Sequence, residues 1–236
     1  MPTELMKDLK KLEDKKQAEI LQRFFKTGKG QYGEGDIFLG IKVPIQRKVC
    51  KSYGNLSLEA IQKLLNSSIH EHRLCALFVL VSKYKKANKI EKGKIFRFYL
   101  KNAKRINNWD LVDLSAPNIV GEYLLEHPEL KKILEKLANS KNLWEKRIAI
   151  VATFSFIRKE KYLDYVLKIS RILLKDKHDL IHKAVGWMLR ELGKRDLLAL
   201  ECFIRTYYKD IPRTTLRYAI EKFPEKKRKA YLKGKW

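Results

Sequence analysis

At 236 residues the chain is long enough to bury a sizeable core, and its 52 lysines and arginines against 27 aspartates and glutamates leave a formal net charge of +25. Self-repulsion on that scale points to a polyanionic partner, nucleic acid rather than a membrane, because no run of roughly eighteen apolar residues is present. The three cysteines, Cys50, Cys75 and Cys202, stand far apart with no C-x-x-C spacing, which excludes a disulfide framework and a structural zinc site and fits a reducing, cytoplasmic compartment.

The N-terminus, Met1-Pro2-Thr3-Glu4, does not read as a signal peptide. From Thr3 to Phe25 apolar residues recur at helical spacing (Leu5, Leu9, Leu12, Ile20, Leu21, Phe24), predicting one long helix or two short ones. The glycine-rich stretch 27–36 follows. Its flanks are helical and it lacks G-x-x-x-x-G-K-[ST], so it reads as a mobile connection rather than a phosphate loop. Next come the short apolar segment 38–44 and helices predicted near 45–53, 57–66, 69–85, 89–101, 109–124, 128–138, 142–157, 160–175, 178–192, 195–208, 212–221 and 224–232. Ser57 is positioned as an N-cap, Pro128, Pro212 and Pro224 as first-turn prolines, and Gly193 as a terminator. No segment alternates with period two, so no sheet is expected. Paired apolar stripes recurring about every 35–40 residues favour a single all-α domain over 1–236, an α-solenoid of HEAT-like antiparallel helix pairs with a basic concave face.

Four stretches concentrate unusual residues. Trp109 and Asp113 stand four apart at the start of a predicted helix and share a face, an indole beside an acid in a cationic chain. That pairing suits a site that stabilises a cation; the plainer alternative is that Asp110 caps the helix and Trp109 packs. In 181–191, Trp187 follows Gly186, whose missing side chain would let something approach the backbone, and shares a face with Arg190 and Glu191. In 142–149, Arg147 is expected to face the groove if Trp144 and Ile148 line the core, where a phosphate contact is natural. In 69–73, His70 and His72 do not share a helix face and read as the start of a repeat helix. His178 and His182 are spaced i, i+4 but lack the glutamate of H-E-x-x-H and a third ligand, so no metal is expected. The basic run 225–235 reads as a solvated face that can also track a phosphate backbone.

Taken together, Leu39-Gly40-Ile41-Lys42-Val43-Pro44, Trp109-Asp110-x-x-Asp113, His127-Pro128-Glu129, Leu143-Trp144-x-x-Arg147 and Ala184-x-Gly186-Trp187-x-Leu189-Arg190-Glu191 resemble, in order and over almost the whole chain, the AlkD-like DNA alkylation repair family. The resemblance implies a curved HEAT-like stack acting as a monofunctional DNA glycosylase that releases N3- and N7-alkylated purines without deep base flipping. It implies Asp113 as the catalytic carboxylate, Trp109 and Trp187 as aromatic walls against the deoxyribose, and Arg147 on a backbone phosphate. Arg190, Lys42 and Lys183 complete the expected DNA-binding set. No metal or organic cofactor is implied, the partner is duplex DNA carrying alkylated bases, and a monomer suffices. One departure is Asn108, where many members carry an aromatic residue. The alternative is a non-catalytic HEAT-like module that binds distorted or branched DNA.

Overall fold

The computed structural model describes residues 2–236. The described residues form helices and turns, with one isolated parallel bridge between Ile37 and Ile69 in place of any strand. The chain divides into two compact units, Met1–Ser115 and Ala116–Trp236. No helix is long and apolar enough to cross a membrane, among the described residues.

The first unit contains α1 (Pro2–Lys10), α2 (Lys15–Phe24), α3 (Val43–Lys51), α4 (Leu58–Leu65), α5 (His70–Lys86), α6 (Lys89–Lys101) and most of α7 (Trp109–Ala116). Two short helices, not one long one, open the chain: Asp14 interrupts the run and caps α2, its carboxylate accepting the Gln17 N–H at 3.0 Å. Ser57 caps α4, and Asn88 with Glu91 forms a reciprocal capping box on α6. The centre of the unit is α5, buried on every side from His70 to Val81 against α1, α3, α4 and α6. Fully buried Leu77 and Leu80 each contribute about 1.5–3 kcal/mol of apolar burial. A helix surrounded in this way need not be amphipathic, which is why its first turn can hold His70, Glu71, His72 and Arg73 inside the protein.

The second unit follows with α8 (Glu122–Glu126), α9 (Lys132–Ala138), α10 (Leu143–Ala152), α11 (Phe154–Arg158), α12 (Leu163–Leu173), α13 (Asp179–Gly193), α14 (Leu197–Tyr207), α15 (Arg213–Ala219) and α16 (Glu225–Leu232). Its hub is α13, which packs on α10, α12, α14 and α15. Most expected helices shift by a residue or two, the one over 128–138 opens with a 3-10 turn at Pro128–Leu130 before α9, and three others break or start late for local reasons. The helix expected over 109–124 gives way at Pro117, which has no N–H for an i→i−4 bond, to a π-helical turn spanning Pro117–Gly121. The one expected over 142–157 is broken at Thr153, whose hydroxyl donates to the Ile150 carbonyl at 2.6 Å. The one expected from 160 starts at Leu163, because Glu160 and Tyr162 take left-handed backbone angles (φ 51° and 54°). Pro212 and Pro224 stand one residue outside their helices as N-caps.

Candidate active site

The stretch Leu39-Gly40-Ile41 is held by a single carboxylate. Glu71, fully buried on α5, accepts the backbone N–H groups of Leu39 (3.0 Å), Gly40 (2.9 Å) and Ile41 (3.3 Å). Gly40 has φ +84°, and a Cβ there would lie 2.1 Å from the Asp14 carbonyl oxygen, so only glycine lets this segment pass the start of α2. The same segment carries Phe38, whose ring stacks on Phe25 (5.0 Å, 20°), and Phe25 stacks in turn on Trp109 (5.2 Å, 17°). Phe24 meets the Trp109 ring edge-on at 6.1 Å and is itself exposed. Trp109 is therefore half-buried, with aromatic support underneath and part of its surface open.

Beneath this stack lies a polar cluster. His70 donates from Nε2 to Asp110 Oδ2 at 2.8 Å, and its Nδ1 stands 3.4 Å from Asp36 Oδ2. Arg73 pairs with the other Asp36 oxygen at 2.6 Å, and Asn108 Nδ2 approaches Asp36 at 3.4 Å. Burial opposes charge on His70, but the Asp110 carboxylate, through charge and hydrogen bond, and Asp36 outweigh both burial and the repulsion of Arg73. The imidazole pKa is pushed up to about 9. Asp36 is likewise penalised by burial, yet its bonds to His70 and Asn108 and the charge of Arg73 hold it below the ordinary carboxylate range. His72 is driven the other way, to about 4, by burial and by Arg73, and its Nδ1 is 2.9 Å from the Ser67 hydroxyl.

Asp113 lies one turn after Trp109 on α7, half-buried. Tyr99 below it is fully buried and shares a 2.9 Å bond with Ser115; burial pushes its phenol up, and the negative charge of Asp113 adds to that. Asp110 does not cap α7, as the plainer sequence reading had it; it turns to His70. Asn108 is fully buried, its side-chain oxygen Oδ1 accepting the Trp109 N–H at 2.8 Å. An aromatic residue could not supply either of its bonds.

In the second unit, Lys183, Trp187 and Arg190 fall at i, i+4 and i+7 along α13 and share a face. Trp187 is half-buried beside Phe154 (5.6 Å). Gly186 does admit a close approach, but the visitor is α15: a Cβ would meet Tyr218 Cβ at 2.5 Å and the Thr215 carbonyl at 2.6 Å. Arg190 pairs with Glu191 at 3.2 Å and with Glu221, and Lys183 pairs with Asp179 at 2.7 Å. Trp144 and Ile148 line the core as expected, yet Arg147 does not lie open. It is 5% exposed and donates to the Leu180 carbonyl at 2.6 Å, at the start of α13. The reason is α13 itself, which packs over α10 and brings the Leu180 carbonyl within reach, its second lone pair accepting the guanidinium. Lys42 is exposed at the N-cap position of α3. His178 accepts the Leu180 N–H, and His182 Nε2 meets the Asp176 carbonyl at 2.6 Å, so both rings serve the helix start.

Residues 5–223 match the family described as "DNA alkylation repair enzyme". The chain belongs to that family. Membership gives it a place in DNA repair, with DNA as substrate. A solved structure described as a predicted DNA alkylation repair enzyme from Enterococcus faecalis is similar over 90% of this chain and 97% of its own, with a TM-score of 0.70 at 16% identity, which shows the shared all-α fold. No curated protein matches.

Within this DNA alkylation repair chain, Trp109 and Asp113 are brought together on α7, and Lys183, Trp187 and Arg190 on α13. His70, Glu71 and Arg73 stood out in the sequence only as the start of a repeat helix, and Asp36 only as the end of a mobile connection; their joint burial was not foreseen. The signal for the α5 residues was a run of four ionisable residues, 70–73, immediately before the apolar stretch Leu74–Val81; Asp36 had none.

Proposed function

We propose that the chain is a monofunctional DNA glycosylase that hydrolyses the N-glycosidic bond of cationic alkylated purines such as N3-alkyladenine and N7-alkylguanine. One observation carries this reading: a half-buried carboxylate, Asp113, stands one helical turn from a partly open tryptophan, on a helix whose first turn is fixed from beneath. In a chain of net charge +25, a carboxylate in that setting has a use if the group it meets is a cation.

An N7- or N3-alkylated purine is already positively charged, so it leaves as a neutral base without a general acid. The C1′–N bond breaks with its electron pair going to the base, and the sugar becomes an oxocarbenium ion. Asp113 stabilises that charge and orients a water whose oxygen bonds to C1′, the water's proton passing to the carboxylate or to solvent. The Trp109 ring face adds about 0.5–2 kcal/mol of attraction to the cationic sugar. On this reading Trp187 is a second indole against the deoxyribose, and Arg147, Arg190, Lys42 and Lys183 serve the phosphate backbone. Arg147 and Arg190 already hold a carbonyl and carboxylates, so phosphate contacts by them require those bonds to exchange. Lys183, paired with Asp179, is not poised as a Schiff-base nucleophile, and the outcome is hydrolysis rather than strand cleavage.

The test is base release from duplex DNA carrying N7-methylguanine by the parent and by Asp113→Asn. Release by the parent and its loss in a folded, DNA-binding variant is expected. An inactive parent with tight, salt-dependent DNA binding would replace this reading with a non-catalytic DNA-binding module.

A further inference from the structure

We propose that His70 is a positioning residue: clasped between Asp110 and Asp36, it fixes the first turn of α7 and with it the Trp109 ring and the Asp113 carboxylate. The inference rests on the glycosylase reading of that helix.

Two independent lines run from this ring to α7. The polar line is the 2.8 Å bond from Nε2 to Asp110, three residues before Asp113. The aromatic line runs through ring faces: His70 stacks on Phe38 at 4.5 Å and lies 5.1 Å from Phe25, which stacks on Trp109. At 2% exposure the ring cannot exchange these partners for water. Asp113 itself is not touched by His70 in any of these bonds, so His70 acts through the helix. A carboxylate that must meet a developing charge gains from having its support locked, because displacements well under 1 Å erode such stabilisation.

The charge state matters to the clamp. Both ring nitrogens face carboxylate oxygens, and only an imidazolium donates to both; a neutral ring would aim a lone pair at one of them. The groups facing it are Asp36 from the segment before α3, Asp110 from α7, and Arg73 from α5 itself; Asn108 is neutral. Within this cluster the two carboxylates are matched by the imidazolium and the guanidinium. Loss of the imidazole proton leaves that balance one negative charge in excess, next to the helix that carries Asp113.

The experiment is single-turnover release of N7-methylguanine, corrected for spontaneous loss, from pH 6 to 9.5. It compares the parent, His70→Gln, Asp110→Asn and Asp113→Asn, with DNA affinity and circular dichroism measured alongside. His70→Gln is expected to stay folded, to bind DNA within about threefold of the parent, since phosphate contacts dominate affinity, and to release base about 10–100-fold more slowly. The parent rate should decline as pH nears 9, and this limb should vanish in His70→Gln. A rate within about twofold of the parent, with the alkaline limb intact, overturns the proposal. If His70→Gln does not fold, Asp110→Asn decides: slowed release with retained binding supports the clamp, and an unchanged rate sinks it. An inactive parent would remove the glycosylase reading and this role with it; an active parent beside an unaffected His70→Gln removes this role alone.

Discussion

Replacing Glu71 by glutamine tests the link between the buried first turn of α5 and the segment that supports Trp109. The carboxylate accepts three buried N–H groups, two at Oε1 (Gly40, Ile41) and one at Oε2 (Leu39). A glutamine oxygen can keep the first pair, but its NH2 then faces the Leu39 N–H, leaving a buried donor unpaired at about 1–3 kcal/mol. The two retained bonds lose their charge assistance at about 1 kcal/mol each, so the total is about 3–5 kcal/mol. With a urea dependence of about 2 kcal/mol per molar, the unfolding midpoint should fall by about 1.5–2.5 M. The assay is urea unfolding followed by circular dichroism and tryptophan fluorescence. A fall of less than about 0.5 M, roughly 1 kcal/mol on the same slope, would refute the reasoning and mean that the segment is held by its apolar contacts instead.

Gly186→Ala separates propensity from packing: alanine is the better helix former by about 1 kcal/mol, but its Cβ would strike the α15 backbone at Thr215. We expect a net loss of about 1–3 kcal/mol, read as a melting temperature several degrees lower; a higher one would show that α15 yields freely. Stability should also fall at alkaline pH. His70 has an ordinary pKa of 6.5 and a folded value of about 9, so its contribution is complete below pH 6.5, declines between the two values and is absent above 9. The amount is of the order of 3 kcal/mol, measured as the urea midpoint at pH 6 against pH 9.5. His70→Gln should flatten that dependence, and an unchanged dependence would assign it to other groups.

Much of the helical order was legible because its signals are local. Apolar spacing, the Ser57 cap and the prolines at 128, 212 and 224 depend on residues within one turn of one another. The breaks at Pro117 and Thr153 were local too. They were missed because apolar periodicity runs straight across them, and their effect lies in single backbone bonds.

The candidate site divides along the same line. That Trp109 and Asp113 share a helix face follows from a spacing of four, and the resemblance of the motifs to a repair family needed no coordinates. The partners of those residues did not follow. His70 meets Asp110 across 40 positions and Asp36 across 34, while Glu71 reaches Leu39 across 32. Burial converts such residues from an ordinary charged helix start into a buried clamp, and burial is a property of how α5 is surrounded, not of its own composition. Arg147 and Gly186 make the same point from the other side, since each was read as open toward a ligand and each is met by a neighbouring helix of its own unit. The approximate places of the helices, the charge excess and the pairing of indole with acid can be read along the chain, because they depend on near neighbours and on sums. Which charges are buried, and what holds the acid-bearing helix, emerge with the packed fold, because desolvation and long-range pairing exist only once the chain has closed on itself.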